Sequence, residues 1–411
     1  SASLTSTRSQ VQVLHRPPFI MRIFYSLETF YPHLSGVTIV TDRIASYFAK
    51  QGNETFIITS SDKGNFLIEQ GSKGYTIIRL KSYPSVVRKK IRISPFPQIA
   101  TFKLFKKFKP DIIHLQDPVF ISEALSKEAL KRKIPVIATQ HSSLAFPLSY
   151  LGLPEVVSAW AGKILATTLS HFYNKHCQLI ITPSNFIKNE VLNWGVKIPV
   201  EVVSNGIDLK IFKKGKVSLE FLQKYYLQDF ISKPVVFYSG RIDKDKNLEV
   251  LIKAIPLVLK EKEVNFLFLG DGDIKNDLKR VVKSMNIEEH LRFIGPLQPT
   301  DSNLPQFYQL SSLFVIPSFI EGQSLATMEA MASGLPIVAA NGGALKELVF
   351  DNENGFLVNP FSEKEFAEKI LAVLSDEKLK KRMSQKSLEL IKSHDISNTF
   401  KKLEEIYQRF V

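Results

Sequence analysis

Leu313-Phe-Val-Ile-Pro317 runs, four residues later, into Glu321-Gly-Gln-Ser-Leu-Ala-Thr-Met-Glu329-Ala-Met-Ala-Ser-Gly334. The first piece is a short β-branched and aromatic run, the pattern of a buried strand. Gly322-Gln323-Ser324 reads as a tight turn. Leu325, Met328, Glu329, Met331 and Ala332 then recur as a helix does, with its start near Ser324. Strand, turn and helix in that order point backbone N–H groups and the positive end of a helix at an anion. Glu321 and Glu329 stand eight residues apart, a little over two helical turns. Glu321 therefore falls in the loop before the helix and Glu329 in its second turn. One acid can reach one part of a bound ligand and the other a second part. By spacing alone the same stretch also describes an ordinary strand–helix connection with two solvated glutamates.

The same alternation extends in both directions. Upstream and downstream of this stretch, strands are expected at Val235–Ser239, Asn265–Leu269, Leu291–Ile294 and Ile337–Ala339, with helices between them. An earlier system opens with a strand at Arg22–Tyr25, a loop through Pro32–Gly36 and a helix near Ile39–Lys50. Strands follow at Thr55–Thr59, Ile112–His114, Val136–Thr139, Leu179–Ile181 and Glu201–Val203. Short β-rich runs alternating with helical patterns predict parallel sheets, so the fold class is α/β with two Rossmann-like units. The boundaries are residues 21–208 for the first unit and 209–395 for the second. Two such units side by side leave a cleft at the carboxyl ends of their strands, where ligands bind.

With 411 residues the chain can build two or three full cores. It shows no apolar run of about 18 residues, the length that spans a bilayer. The single cysteine, Cys177, offers neither an internal disulfide nor a cysteine cluster for a metal, which fits a reducing compartment. Residues 1–20 carry Arg8 and Arg16 and no acid, and precede the strand that opens after Met21. They read as a leader or tag without fixed structure; they lack the apolar centre of a targeting peptide.

The net charge of +14 is unevenly placed. Ten basic residues and no acid lie between Arg79 and Lys109. Ile99, Phe102, Phe105 and Phe108 recur every three residues there, with Lys103, Lys106 and Lys107 between them. This is an amphipathic basic helix. Its phenylalanines can pack on the sheet with solvated lysines outside. It can also adsorb to anionic lipid, at about 1 kcal/mol per basic residue. No nucleic-acid motif accompanies it, so nucleic acid is not expected as a partner.

The stretch Glu321–Ala339 resembles the signature of family 4 of the retaining glycosyltransferases. The likeness continues through Gly342-Gly343, Glu347 and Asn354-Gly355. Pro183-Ser184, Asn205-Gly206-Ile207-Asp208, Gly240-Arg241 with Lys246, Gly270-Asp271-Gly272 and Phe293-Ile294-Gly295 stand in the family's order. The resemblance covers nearly everything from Met21 to Val411 and implies the GT-B arrangement, with a last helix within 396–411 packing back on the first domain.

It also implies a chemistry: transfer of a hexose from a UDP- or GDP-sugar to a hydroxyl, with retention of configuration. No cofactor or metal is implied, the nucleotide-sugar being a co-substrate. Arg241 and Lys246 would hold the donor diphosphate, with Gly36 and the backbone of Leu325 and Ala326. An Arg supplies bidentate charged hydrogen bonds and a Lys a point charge. Glu329 would take the ribose hydroxyls and the backbone of Leu297 the base. Glu321, Gly322, Gln323 and Ser324 would line the donor sugar, with Glu321 and His141 as the catalytic, charge-stabilising groups. His114 and Asp117, at another strand end, are candidates for the acceptor side, and His33 is a further one. The family has no agreed nucleophile; same-face attack, with the leaving phosphate accepting the acceptor proton, is the usual proposal.

The chain departs from the usual signature at Gln323-Ser324, where relatives commonly carry Phe-Gly. This variant is similar to subgroups that glycosylate diacylglycerol-type lipids; phosphatidylinositol mannosyltransferases are also similar. Together with the basic helix, whose Phe102, Phe105, Lys103, Lys106 and Lys107 would meet the membrane, it points to a glycerolipid or glycolipid acceptor. The expected location is cytoplasmic, peripheral at the inner face of the membrane. A soluble or polysaccharide acceptor stays open. So do a nucleotide-sugar epimerase of the same architecture and a metal-dependent transferase using Asp243-Lys-Asp245 or Asp271-Gly-Asp273. A polyanion-binding protein would explain the charge alone.

Overall fold

A computed structural model of the protein describes residues 20–85, 91–145, 155–298 and 301–411. The leader expected at 1–20 lies outside the described residues except for Ile20, as do Arg88, Lys89 and Lys90 of the basic window.

The first sheet contains β1 (Arg22–Ser26), β2 (Glu54–Ser60), β3 (Leu67–Gln70) and β4 (Thr76–Leu80). After a two-strand ribbon of β5 (Tyr83–Pro84) and β6 (Arg92–Ile93), it continues with β7 (Ile112–Leu115), β8 (Val136–Thr139), β9 (Leu179–Thr182) and β10 (Val200–Val202). Its order is β10-β9-β8-β7-β1-β2-β4-β3, parallel throughout except for β3, which runs antiparallel to β4. The second sheet contains β11 (Val235–Ser239), β12 (Asn265–Leu269), β13 (Leu291–Ile294), β14 (Leu313–Ile316), β15 (Ile337–Ala340) and β16 (Gly355–Val358). Its order, β13-β12-β11-β14-β15-β16, is that of a doubly wound dinucleotide-binding sheet. In both sheets the order reverses beside the first strand, at β1/β7 and at β11/β14.

Alternate residues of each strand serve opposite faces, because side chains alternate across a strand. Phe24, Ile113 and Ala138 join a layer with Leu104, Phe105 and Leu125 of the helices on one face. Ile23, Tyr25, Ile112 and Ile137 join another with Ile44 and Phe48 on the other face. The second sheet repeats the plan, with Tyr238, Phe268 and Val315 facing one layer and Phe237, Leu267 and Phe314 facing the next. Burial on both faces is why these strands read as continuous apolar runs rather than alternating ones.

The helix Ile396–Gln408 returns to the first sheet. Its Leu403, Ile406 and Tyr407 complete the layer that holds Tyr25 and Ile137. Two segments therefore cross between the sheets, and they are stitched together. Ile207 N–H donates to the His394 carbonyl at 2.9 Å, Ile396 N–H donates back to Ile207 at 3.0 Å, and Thr399 Oγ1 donates to the Ser204 carbonyl at 2.8 Å.

Strands β3 to β6 and β16 go beyond the sequence expectation. β3 is an exposed edge strand, so it carries no burial pattern. β16 begins at Gly355, and Asn354-Gly355 reads locally as a turn. A Cβ on Gly355 would overlap the Ile337 carbonyl oxygen, so that close approach needs the glycine.

Candidate functional site

The two strand-order reversals bring two helix starts together. Ser35 caps the helix Gly36–Lys50, its Oγ accepting from Thr38 N–H at 3.1 Å. Ser324 caps the helix Leu325–Ala332, its Oγ accepting from Thr327 N–H at 3.2 Å. A Cβ on Gly36 would stand 3.9 Å from Leu325 Cδ1, so the starts face each other across the cleft. The first-turn N–H groups of each helix, among them those of Leu325 and Ala326, have no partner inside the helix. Their positive ends converge on one space, a place suited to an anion with several charged oxygens.

Around that space the second sheet contributes charge. Lys246 Nζ donates to Glu321 Oε1 at 2.7 Å, with both side chains largely buried. Arg241 pairs with Asp243 through Nη1 and with Asp245 Oδ2 through Nη2, the latter at 2.8 Å. Asp243 Oδ1 also accepts from Asp273 N–H at 2.9 Å, tying the Arg241 loop to the turn after β12. The Asp-Lys-Asp sequence thus holds a guanidinium. Among the described residues no group of three or more His, Cys, Asp or Glu side chains is arranged for a metal.

Glu321 is brought to His141 by backbone contact. A Cβ on Gly322 would overlap the His141 carbonyl oxygen; only glycine lets the two loops approach so closely. Ser184 Oγ donates to the Gly322 carbonyl at 2.7 Å. Glu347 of the second domain accepts from Phe186 N–H at 2.6 Å and Asn185 N–H at 2.9 Å, capping a first-domain helix. His141 Nε2 lies 2.8 Å from Gln116 Oε1. Burial lowers the His141 pKa to about 4, so the imidazole is neutral at physiological pH.

Glu329 is buried, and its Oε2 accepts from Tyr308 O–H at 2.6 Å. Its Oε1 stands 3.8 Å from Arg43 Nη2 on the first-domain helix. Burial raises the Glu329 pKa above the usual carboxylate range, opposed by Arg43 and by the Tyr308 hydrogen bond. Leu297 follows β13 and is partly buried against the layer containing Phe237 and Leu304.

Several expected residues sit differently. The Gln323 carboxamide turns to the crossing segment: Oε1 accepts from Asn205 N–H at 2.8 Å and Nε2 donates to Ser204 Oγ at 3.1 Å. Ser324 Oγ is the helix cap. His114 is a core residue rather than an acceptor-side group. Its Nδ1 lies 2.6 Å from Tyr407 Oη and its Nε2 2.7 Å from Thr139 Oγ1, and burial lowers its pKa to about 3. Phe105 also belongs to the core. In the helix Gln98–Phe108, Leu104 and Phe105 face the sheet, while Phe102, Lys103, Lys106 and Lys107 face outward.

Asp117 does lie at the cleft end of β7, paired with an acid the sequence did not flag. Its Oδ2 accepts from Glu28 N–H at 2.6 Å. Burial, then the Glu28 charge, raises its pKa to about 7. Glu28 itself is buried; its Oε1 accepts from Ser60 Oγ and Ser94 N–H, both at 2.6 Å. Arg43, Tyr308 and Gln116 also escaped the sequence. Each is distant in sequence from the residue it meets, and none carries a local motif.

Two family models match the chain in succession: "Glycosyltransferase Family 4" over residues 34–211 and "Glycosyl transferases group 1" over residues 229–389. Among curated proteins the chain is similar to an alpha-monoglucosyldiacylglycerol synthase of Streptococcus pneumoniae. The two are 28% identical over 86% of this chain and 78% of that protein. It is also similar to a sulfoquinovosyl transferase of Arabidopsis thaliana, at 25% identity over 89% and 69%. Among solved structures, a sucrose-phosphate synthase of Thermosynechococcus elongatus superposes with a TM-score of 0.77 at 19% identity, over 95% of this chain and 98% of that one. HepE of Anabaena, in complex with UDP-glucose, superposes with a TM-score of 0.73 at 18% identity, over 95% and 100%.

Proposed function

We propose that this chain, which belongs to the family 4 glycosyltransferases and has their GT-B fold, moves a hexose from a nucleotide-sugar to a hydroxyl of a membrane glycerolipid or glycolipid, with retention. The observation that carries the reading is the meeting of two helix starts beside the Lys246–Glu321 pair and the Gly322–His141 contact. A diphosphate seated there would compete with Glu321 for Lys246 and release the carboxylate toward the sugar. Charge then builds on the leaving phosphate, where the helix starts, Lys246 and Arg241 face it in a partly dry site. The acceptor oxygen bonds to the anomeric carbon as the bond to phosphate breaks, and the leaving phosphate oxygen takes the acceptor proton. Glu321 and neutral His141 stabilise the cationic sugar and hold it; neither needs to act as nucleophile. Glu329, presented by Tyr308, takes the ribose hydroxyls. The pairing of Asp243 and Asp245 with Arg241 supports a reaction without a metal.

The lipid acceptor is supported by the relative named as an alpha-monoglucosyldiacylglycerol synthase and by the outward lysines of the helix Gln98–Phe108. These would hold the protein peripherally on an anionic, cytoplasm-facing membrane. Among the described residues no helix is long and apolar enough to cross a membrane. The test is to offer UDP-glucose and GDP-mannose with diacylglycerol, glucosyldiacylglycerol and a soluble disaccharide. Lipid-linked product from one donor is expected. Product only from the disaccharide would overturn the lipid reading, and donor conversion without transfer would favour an epimerase.

A further inference from the structure

The helix Glu155–His176 overshoots the sheet it covers. Its 22 residues span about 33 Å at 1.5 Å per residue, whereas the four residues of β8 span about 13 Å. Leu169 and Tyr173, in its second half, join the layer on the first sheet. From Val156 to Thr168 no residue is buried. That projecting half is nonetheless apolar: Val156 is 82% exposed, Trp160 67% and Ile164 47%. They recur every four residues, on one side of the helix.

The neighbouring helices carry the same kind of residue at the same end. Gln98–Phe108 packs on Phe120–Arg132, which packs on Glu155–His176. All three connect parallel strands, so their starts lie at the carboxyl edge of the sheet, on the mouth of the cleft. Phe96, 81% exposed, and Ile99, 74% exposed, stand at the first of these starts, and Phe120 at the second. A line of exposed apolar residues this long marks an interaction surface. Its polar neighbours choose the partner. Lys103, Lys106 and Lys107 are exposed beside Phe102, with Lys106 Nζ 4.8 Å from its ring centre. Between Val156 and His176 there are lysines at 163 and 175 and no acid.

We infer that this rim, centred on Trp160 and Ile164, inserts into the interfacial layer of an anionic bilayer and sets the cleft mouth against the lipid surface. Apolar side chains buried at headgroup depth and flanked by lysines are the composition of an interfacial anchor, and tryptophan favours that depth. The inference rests on the reading of the acceptor as a membrane lipid and adds the surface that delivers it.

The chain has two tryptophans, so Trp194→Phe leaves Trp160 as the sole reporter. Mixed phosphatidylglycerol–phosphatidylcholine vesicles should blue-shift its emission, and lipids brominated near the headgroup should quench it. Trp160→Glu with Ile164→Glu should weaken vesicle binding at least about tenfold while leaving the melting temperature and turnover of a soluble short-chain acceptor unchanged. The inference is overturned if Trp160 emission ignores the vesicles, or if the double variant binds them as well as the parent. It is also overturned if sedimentation shows a lipid-free dimer that the double variant dissolves, or if deleting residues 1–19 red-shifts Trp160. Vesicle binding through Trp160 without any glycosyl transfer would instead sink the enzymatic reading alone.

Discussion

The two sheets share one winding, yet they prepare their carboxyl edges differently. The second sheet presents compact turns whose side chains are already paired in charge: Arg241 with Asp243 and Asp245, Lys246 with Glu321. The first presents a glycine at a helix start, the neutral imidazole of His141, a pair of buried acids and an apolar rim. In the proposed reaction the diphosphate is common to every nucleotide-sugar donor, and fixed charges at short spacing would suffice to hold it. The proposed acceptor edge is instead built from contacts between segments far apart in the chain, such as Glu28 with Asp117 and Gln116 with His141.

The largest effect should come from the charged edge. Lys246→Ala and Glu321→Ala are each expected to reduce transfer about 10²–10³-fold, with circular dichroism unchanged. Full activity in both would dissolve the contrast between the edges. Next is the point where the edges touch. Gly322→Ala sets a methyl group against the His141 carbonyl and should lower kcat about 10²-fold, with the radius of gyration rising in solution scattering as the cleft is wedged open. Wild-type activity and compactness would mean that the two edges do not meet during turnover.

Titration sharpens the comparison further, since the perturbed groups of the first edge pull in opposite directions. Asp117, raised to about 7, contributes stability that is complete below the ordinary carboxylate range and is lost as pH rises toward 7. His141, lowered to about 4, contributes stability that is complete above about 6.5 and is lost as pH falls toward 4. Asp117→Asn should therefore gain on the parent by about 1.4 kcal/mol per pH unit between pH 4 and 7. Chemical denaturation at a series of pH values measures it, and a flat difference would remove Asp117 from the buried pair. The smallest effect belongs to the crossing segment. Gln323→Ala loses two hydrogen bonds to the crossing segment, worth about 1 kcal/mol each. The melting temperature should fall by a few degrees while the ratio of UDP-glucose to GDP-mannose turnover stays constant. A changed ratio would return Gln323 to the sugar.

What could be read from sequence follows the same divide. Val235–Ser239, Asn265–Leu269, Leu291–Ile294 and Leu313–Ile316 begin and end where their apolar runs do, because strands buried on both faces announce themselves locally. The start of the helix at Leu325 was legible from a serine after a glycine turn. Tyr308 beneath Glu329, Arg43 across from it and Ser204 under Gln323 were not, since each pairing is made by the fold between segments far apart in the chain. Phe105 and Phe102 look alike as sequence; only the sheet behind the helix makes one core and leaves the other outside.

The hydrogen bond between His114 and Tyr407 closes over 293 residues. During synthesis at roughly 5–20 residues per second, that interval lasts about 15–60 s. For that time β7 exists with a buried imidazole awaiting its partner and a layer lacking Leu403, Ile406 and Tyr407. The first domain is thus begun first and finished last. The nascent chain carries an open apolar seam while the entire second domain is made.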